Sequence, residues 1–135
     1  MRLVLDTNVL VSGFISPEGP PGAILRLLET ELLVPCLSEA ILAEYRDVLS
    51  RPHLGIPRAA ADLLLEDMRA VGLRVTPLPL PHRLPDPDDE PFLEAAIAAE
   101  ADFLVTGNLR HFPARLRQGV AVVSPREFIE ALRGR

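Results

Sequence analysis

The sequence predicts an α/β fold: a three-layer α/β/α sandwich around a central parallel sheet of about five strands. Two patterns carry this expectation. Short apolar runs alternate with longer amphipathic segments along the whole chain, as in repeated strand–helix–strand units. The short runs are also apolar without alternation, which suits strands buried on both faces. At 135 residues the chain fits one domain, read as spanning residues 1–135. It is long enough to bury a core without disulfide or metal staples.

Each element has a local reason. RLVL (residues 2–5) is the first strand, and TNVLVSGF (7–14) the first helix. Proline and glycine make residues 16–22 a loop. Residues 23–30 have helical spacing, and LLVP (32–35) is a second strand ended by Pro35. Ser38 caps a helix over residues 39–51. Residues 52–57, PHLGIP, break the chain before a helix over 58–72, with Gly72 as its C-cap. LRVTPL (73–78) is a third strand, followed by a proline-rich loop that ends in acids. Residues 92–100 are a helix, 102–106 a strand, 107–119 a loop and 120–123 the last strand. Ser124, Pro125 and Glu127 form a capping box with proline at the first helical position, opening a final helix.

Composition excludes several functions. Hydrophobic residues make up 48%, so the chain is globular and not disordered. No apolar run approaches the ~20 residues that cross a bilayer, and no signal peptide is apparent. Cys36 stands alone, so no internal disulfide forms, and a cytoplasmic location follows as the default. The net charge of −5 argues against bulk electrostatic binding of DNA. All 14 basic residues are arginine, which removes any mechanism needing a lysine. Receiver-type and dehalogenase-type phosphoryl transfer fall on that ground. Nucleotide-binding folds want a glycine-rich turn after the first strand, and DTNVLVSG does not supply one.

The acids carry the chemistry. Asp6 follows the first strand directly, where ligands bind in parallel sheets; it also reads as a helix cap. On the third predicted helix, Ile41, Leu42, Tyr45, Val48 and Leu49 share an arc, and Glu44 lies about 40° beyond Val48. Glu39 and Asp47 point away. Glu44 can lean toward the core or reach solvent as a border residue. Asp88, Asp89 and Glu90 precede a helix whose apolar arc is Phe92, Leu93, Ala96 and Ile97. Asp89 projects into the middle of that arc, while capping by the macrodipole is the plainer account of all three acids. Three carboxylates brought together repel, and their pKa values rise. Mg²⁺ or Mn²⁺ relieves that repulsion and prefers oxygen ligands. His53, His82 and His111 show no zinc spacing.

These residues resemble the PIN-domain nucleases. The resemblance rests on LVLDTNVLVSGF, LSEAILAEYRDVL and DPDDEPFLEAAIAAEADFLVTGNLRHF in that order, and it runs over nearly the whole chain. It implies Mg²⁺- or Mn²⁺-dependent cleavage of single-stranded RNA, in many cases by VapC-like toxins that form dimers and are neutralised by a small antitoxin. By position, Asp6, Glu44 and Asp89 resemble the metal-binding acids, with Asp88 as a further ligand. Asn108 stands at the fourth catalytic position, often an aspartate. Thr7, Asn8 and Thr106 resemble residues that brace the acids or touch phosphate, and Asp86 can supplement the charge that Asn108 lacks. Turn and capping chemistry explains the same polar residues. Arg110, His111 and Arg115 follow in a loop where they can hold phosphate, or simply meet solvent. Aromatic residues are only 4% of the chain, so base stacking is confined to isolated points such as Phe14, Tyr45 or Phe112. The rival reading is a PIN-like binding module with weak or no nuclease activity, favoured by the amide at position 108.

Overall fold

β1 (Arg2–Leu5) is the middle strand of the sheet and sets the frame for everything else. The computed structural model describes residues 1–134. The other strands are β2 (Val34–Leu37), β3 (Leu73–Arg74), β4 (Phe103–Val105) and β5 (Val122–Val123). They lie in the order β3-β2-β1-β4-β5, and every neighbouring pair is parallel. The helices are α1 (Thr7–Ile15), α2 (Pro20–Leu27), α3 (Glu39–Leu49), α4 (Arg58–Val71), α5 (Glu90–Ala98) and α6 (Pro125–Arg133). The result is the α/β sandwich that the sequence predicts.

The core is aliphatic, with few rings. Leu3, Val4 and Leu5 of β1 are sealed from water, as are Leu104 and Val105 of β4. α5 packs against β1, β2 and β4, and contributes Phe92 and Leu93. α3 contributes Ile41, Leu42, Tyr45 and Leu49. Each such side chain contributes about 1.5–3 kcal/mol on leaving water.

Several boundaries differ from expectation, each for a physical reason. β2 runs through Pro35 instead of ending there. The Val34 amide donates to the Met1 carbonyl, 2.7 Å away, so the neighbouring position 35 faces the other side. There β3 begins only at the level of Cys36, and the missing N–H of Pro35 leaves nothing unpaired. β3 keeps two residues of the expected six, because it is an edge strand that Pro77 cannot extend. α2 starts within the expected loop, with Pro20 and Pro21 in its first turn. α5 likewise starts two residues early, led by a 3₁₀ turn at Pro87–Asp89. Ile97, expected in the core, is 40% exposed.

Gly72 does follow α4 but does not adopt a left-handed cap. It is needed for closeness instead: a Cβ there would stand 2.4 Å from the Met68 carbonyl oxygen and 2.7 Å from that of Pro35. Ser38 caps α3 through the Ile41 amide, and the capping box of α6 forms as expected.

One buried bond connects this frame to the acids. The Tyr45 hydroxyl, on α3, donates to the carbonyl of Leu5, the last residue of β1. This fixes α3, and with it Glu44, against the carboxyl end of the central strand. Tyr45→Phe leaves that buried carbonyl unsatisfied, so stability falls by about 1–3 kcal/mol. Urea unfolding should report this as a lower midpoint at unchanged slope.

Candidate active site

The chain order reverses around β1, with β2 on one side and β4 on the other. Open parallel sheets form ligand crevices at the carboxyl ends of strands at such a point. Asp6 follows β1 there and Thr106 follows β4. Their backbones are tied together, since the Asp6 amide donates to the Val105 carbonyl at 2.9 Å.

Asp6 occupies the N-cap position of α1, yet its carboxylate makes no cap hydrogen bond of good geometry. Its Oδ2 instead accepts from the Thr106 hydroxyl at 2.8 Å and, more weakly, from Nδ2 of Asn8 at 3.4 Å. Asn8 is itself held, because its Oδ1 accepts from the Gly107 amide. Thr106 Oγ1 also accepts from the Asn108 amide. This chain of bonds laces the turn after β1 to the turn after β4. Burial raises the pKa of Asp6; the Thr106 hydroxyl, the Thr7 and Asn8 amides and His111 pull against that shift.

Glu44 sits half-buried on the border of α3, as its helical phase predicts. Its Oε2 accepts from the Thr7 hydroxyl at 2.6 Å. Partial burial raises its pKa, and the charges of Asp6 and Asp88 add to that rise.

Asp89 is buried at the N-cap position of α5, and it too makes no side-chain cap bond. Its Oδ2 is sealed from solvent and accepts no well-aligned hydrogen bond, although Nδ1 of His111 stands 2.9 Å away. Its pKa is pushed up to about 6, first by burial and then by the charge of Asp6. Asp86 and Glu44 push the same way and His111 opposes them.

The remaining candidates divide. Asp86 is half-buried and accepts from the Asp88 amide, so it caps the 3₁₀ turn. Asp88 is exposed. Asn108 is half-buried, with Nδ2 at 2.8 Å from Nε2 of His111. Arg110 and Arg115 are exposed. Glu90 is the buried acid the sequence did not single out: it accepts from the Leu84 amide and pairs with Arg83, which accounts for its burial structurally.

Among the described residues, no three acidic, histidine or cysteine side chains close into a finished metal ligand set. The donor chemistry still suits a hard cation. Asp6 and Asp89 are buried carboxylates, the charge of Asp6 raises the cost of ionising Asp89, and Asp89 Oδ2 accepts no well-aligned hydrogen bond. A groove of about 740 Å³ lies at the opposite, amino edge of the sheet, lined by Met1, Leu27, Leu33, Ile129 and Leu132. None of the three acids reaches it.

Comparison with known proteins places these features in context. Residues 2–110 match the PIN domain family. The uncharacterized protein MJ1680 of Methanocaldococcus jannaschii is 30% identical over 141 aligned positions, covering 96% of this chain and 90% of that protein. Among solved structures, VapBC2 from Rickettsia felis, bound to a DNA fragment from its promoter, contains a chain similar in fold. The TM-score is 0.58 at 17% identity, over 92% of this chain and 98% of that one.

The raised pKa of Asp89 has a measurable consequence. Its folded value of about 6 exceeds the ordinary value of 3.8, so between these limits the folded state binds more protons than the unfolded state. Stability of the metal-free protein therefore falls as pH rises through this window. In a chelating buffer, Asp89→Asn should flatten that fall and raise the urea midpoint at neutral pH. An unchanged pH profile would contradict the assigned environment.

Proposed function

The chain belongs to the PIN domain family, and from that premise we propose that it is a Mg²⁺- or Mn²⁺-dependent ribonuclease cutting single-stranded RNA. PIN domains are typically nucleases that use a divalent metal. The observation that carries the proposal is the pair of buried aspartates, Asp6 and Asp89. Both stand at helix N-caps without capping, and their charges oppose each other. In this reading Asp6, Asp89 and Glu44 hold the cation, with Asp88 and Asp86 adding charge at the rim.

When bound, such an ion orients a water and offsets charge developing on a phosphodiester. The chain's own groups do the positioning. Thr106 and Asn8 fix Asp6, and Thr7 fixes Glu44, so that these two carboxylates keep their positions despite their repulsion. In the metal-free protein Asp89 holds a proton more readily than an ordinary carboxylate; a bound cation would reverse that preference. Arg110, beyond Asn108, supplies positive charge for a phosphate backbone. The open edge of the sheet suits a polymer, which needs access more than enclosure.

The family and the VapBC2 likeness also support a toxin role with a small antitoxin partner; the dimeric assembly is inferred from the family resemblance, and the single domain and cytoplasmic setting from chain length and the lone Cys36. A net charge of −5 ill suits the chain to holding duplex DNA alone. Any promoter contact by a complex would then fall mainly to the partner. The second reading, a binding module with little catalysis, rests on Asn108, whose amide contacts His111 and brings no negative charge.

A cleavage assay separates the two readings. With a fluorescent single-stranded RNA and Mn²⁺, the unmutated protein should cut the strand. Asp6→Asn and Asp89→Asn should each lower the rate by about 100-fold or more. Cutting that persists in both variants would remove these residues from the site. Absence of cutting by the unmutated protein favours the binding module.

A further inference from the structure

His111 lies in the short 3₁₀ turn Leu109–His111, three residues beyond Asn108. Its ring spans two groups of the candidate site. Nε2 meets Nδ2 of Asn108 at 2.8 Å, and Nδ1 meets Oδ2 of Asp89 at 2.9 Å. The Asn108 amide donates to Nε2, so a neutral ring carries its proton on Nδ1, the nitrogen facing Asp89. The other face of the ring is open: 42% of the side chain is exposed, against 11% for that of Asp89. His111 thus screens a carboxylate oxygen that is otherwise sealed and without a well-aligned partner.

We propose that His111 is a resident cover of the metal site, occupying the Asp89 oxygen that a divalent cation would take, and that it swings outward when the cation binds. The inference rests on the metal-dependent reading above and deepens it. Asn108 then has a role that an acid at the same position would not fill. An aspartate there would accept from Nε2, so a neutral ring would leave Nδ1 bare toward Asp89 and the cover would require a protonated ring. His111 is accordingly a positioning residue that competes with the cation. This assignment differs from the phosphate-holding role that its sequence position suggests.

The direction of one affinity change decides the matter. Calorimetric titration with Mn²⁺ at neutral pH should give His111→Ala about three- to tenfold tighter binding than the unmutated protein, because a competing contact is gone. Weaker or equal binding by a variant that still unfolds cooperatively overturns the proposal; weaker binding would make His111 a ligand. The unmutated protein gives a second test that needs no variant. With ¹⁵N-labelled histidine, the His111 ring signals should shift as Mg²⁺ saturates the protein. Ring signals that stay fixed while Mg²⁺ binds overturn the cover. Absence of any metal binding by the unmutated protein overturns the metal reading itself, and this inference with it.

Discussion

The proposed chemistry depends on two buried aspartates, Asp6 and Asp89, that sit at helix N-cap positions without a well-aligned cap bond. An N-cap aspartate ordinarily spends its carboxylate on the first turn of its own helix. Asp6 and Asp89 do not. Asp6 is held by Thr106, 100 residues further along the chain, and Asp89 keeps an oxygen with no well-aligned partner. Both remain near the positive ends of helix dipoles, which offset part of the cost of burying them. The remaining cost stays in the fold as raised pKa values. A structure tolerates such a cost where the strain serves a site.

The sheet makes this arrangement possible. Parallel strands deliver their carboxyl ends to one edge, and β1 and β4 do so side by side. Main-chain bonding of Asp6 to Val105 fixes the distance between the two turns. Thr106 and Asn8 can then bridge them with short side chains that have little freedom to lose. Tyr45 fastens α3 to the same strand end and brings Glu44 within reach of Thr7. Asp6 and Glu44 are thus placed by bonds that are mostly remote in sequence, while Asp89 is placed by the start of α5.

What could be read from the sequence follows from how local each cause is. Asp6 was legible because a charge between two apolar segments is conspicuous, although its rival identity as a cap could be removed only by seeing where its oxygens point. Glu44 and Asp89 were legible through helical phase, which needs only neighbours within two turns. The Ser38 cap and the Ser124 capping box are legible for the same reason. Strand limits were not: Pro35 continues β2 because of which neighbour lies on its N–H side, and β3 shortens because it is an edge. The Thr106–Asp6 and Thr7–Glu44 bonds span 100 and 37 residues, so no local pattern announces them. The sequence places His111 in a loop where it can hold phosphate, but its contact with Asp89 depends on tertiary placement. Family likeness carries the fold; it does not carry this contact.

In the proposed function, Asp6 and Asp89 share a divalent cation. The most direct measurement is the anomalous scattering of a crystal of the protein equilibrated with Mn²⁺. A peak is expected at the carboxyl edge of the sheet, within coordination distance of Asp6 and Asp89. Peaks confined to other surface carboxylates, with these two aspartates bare, would contradict it.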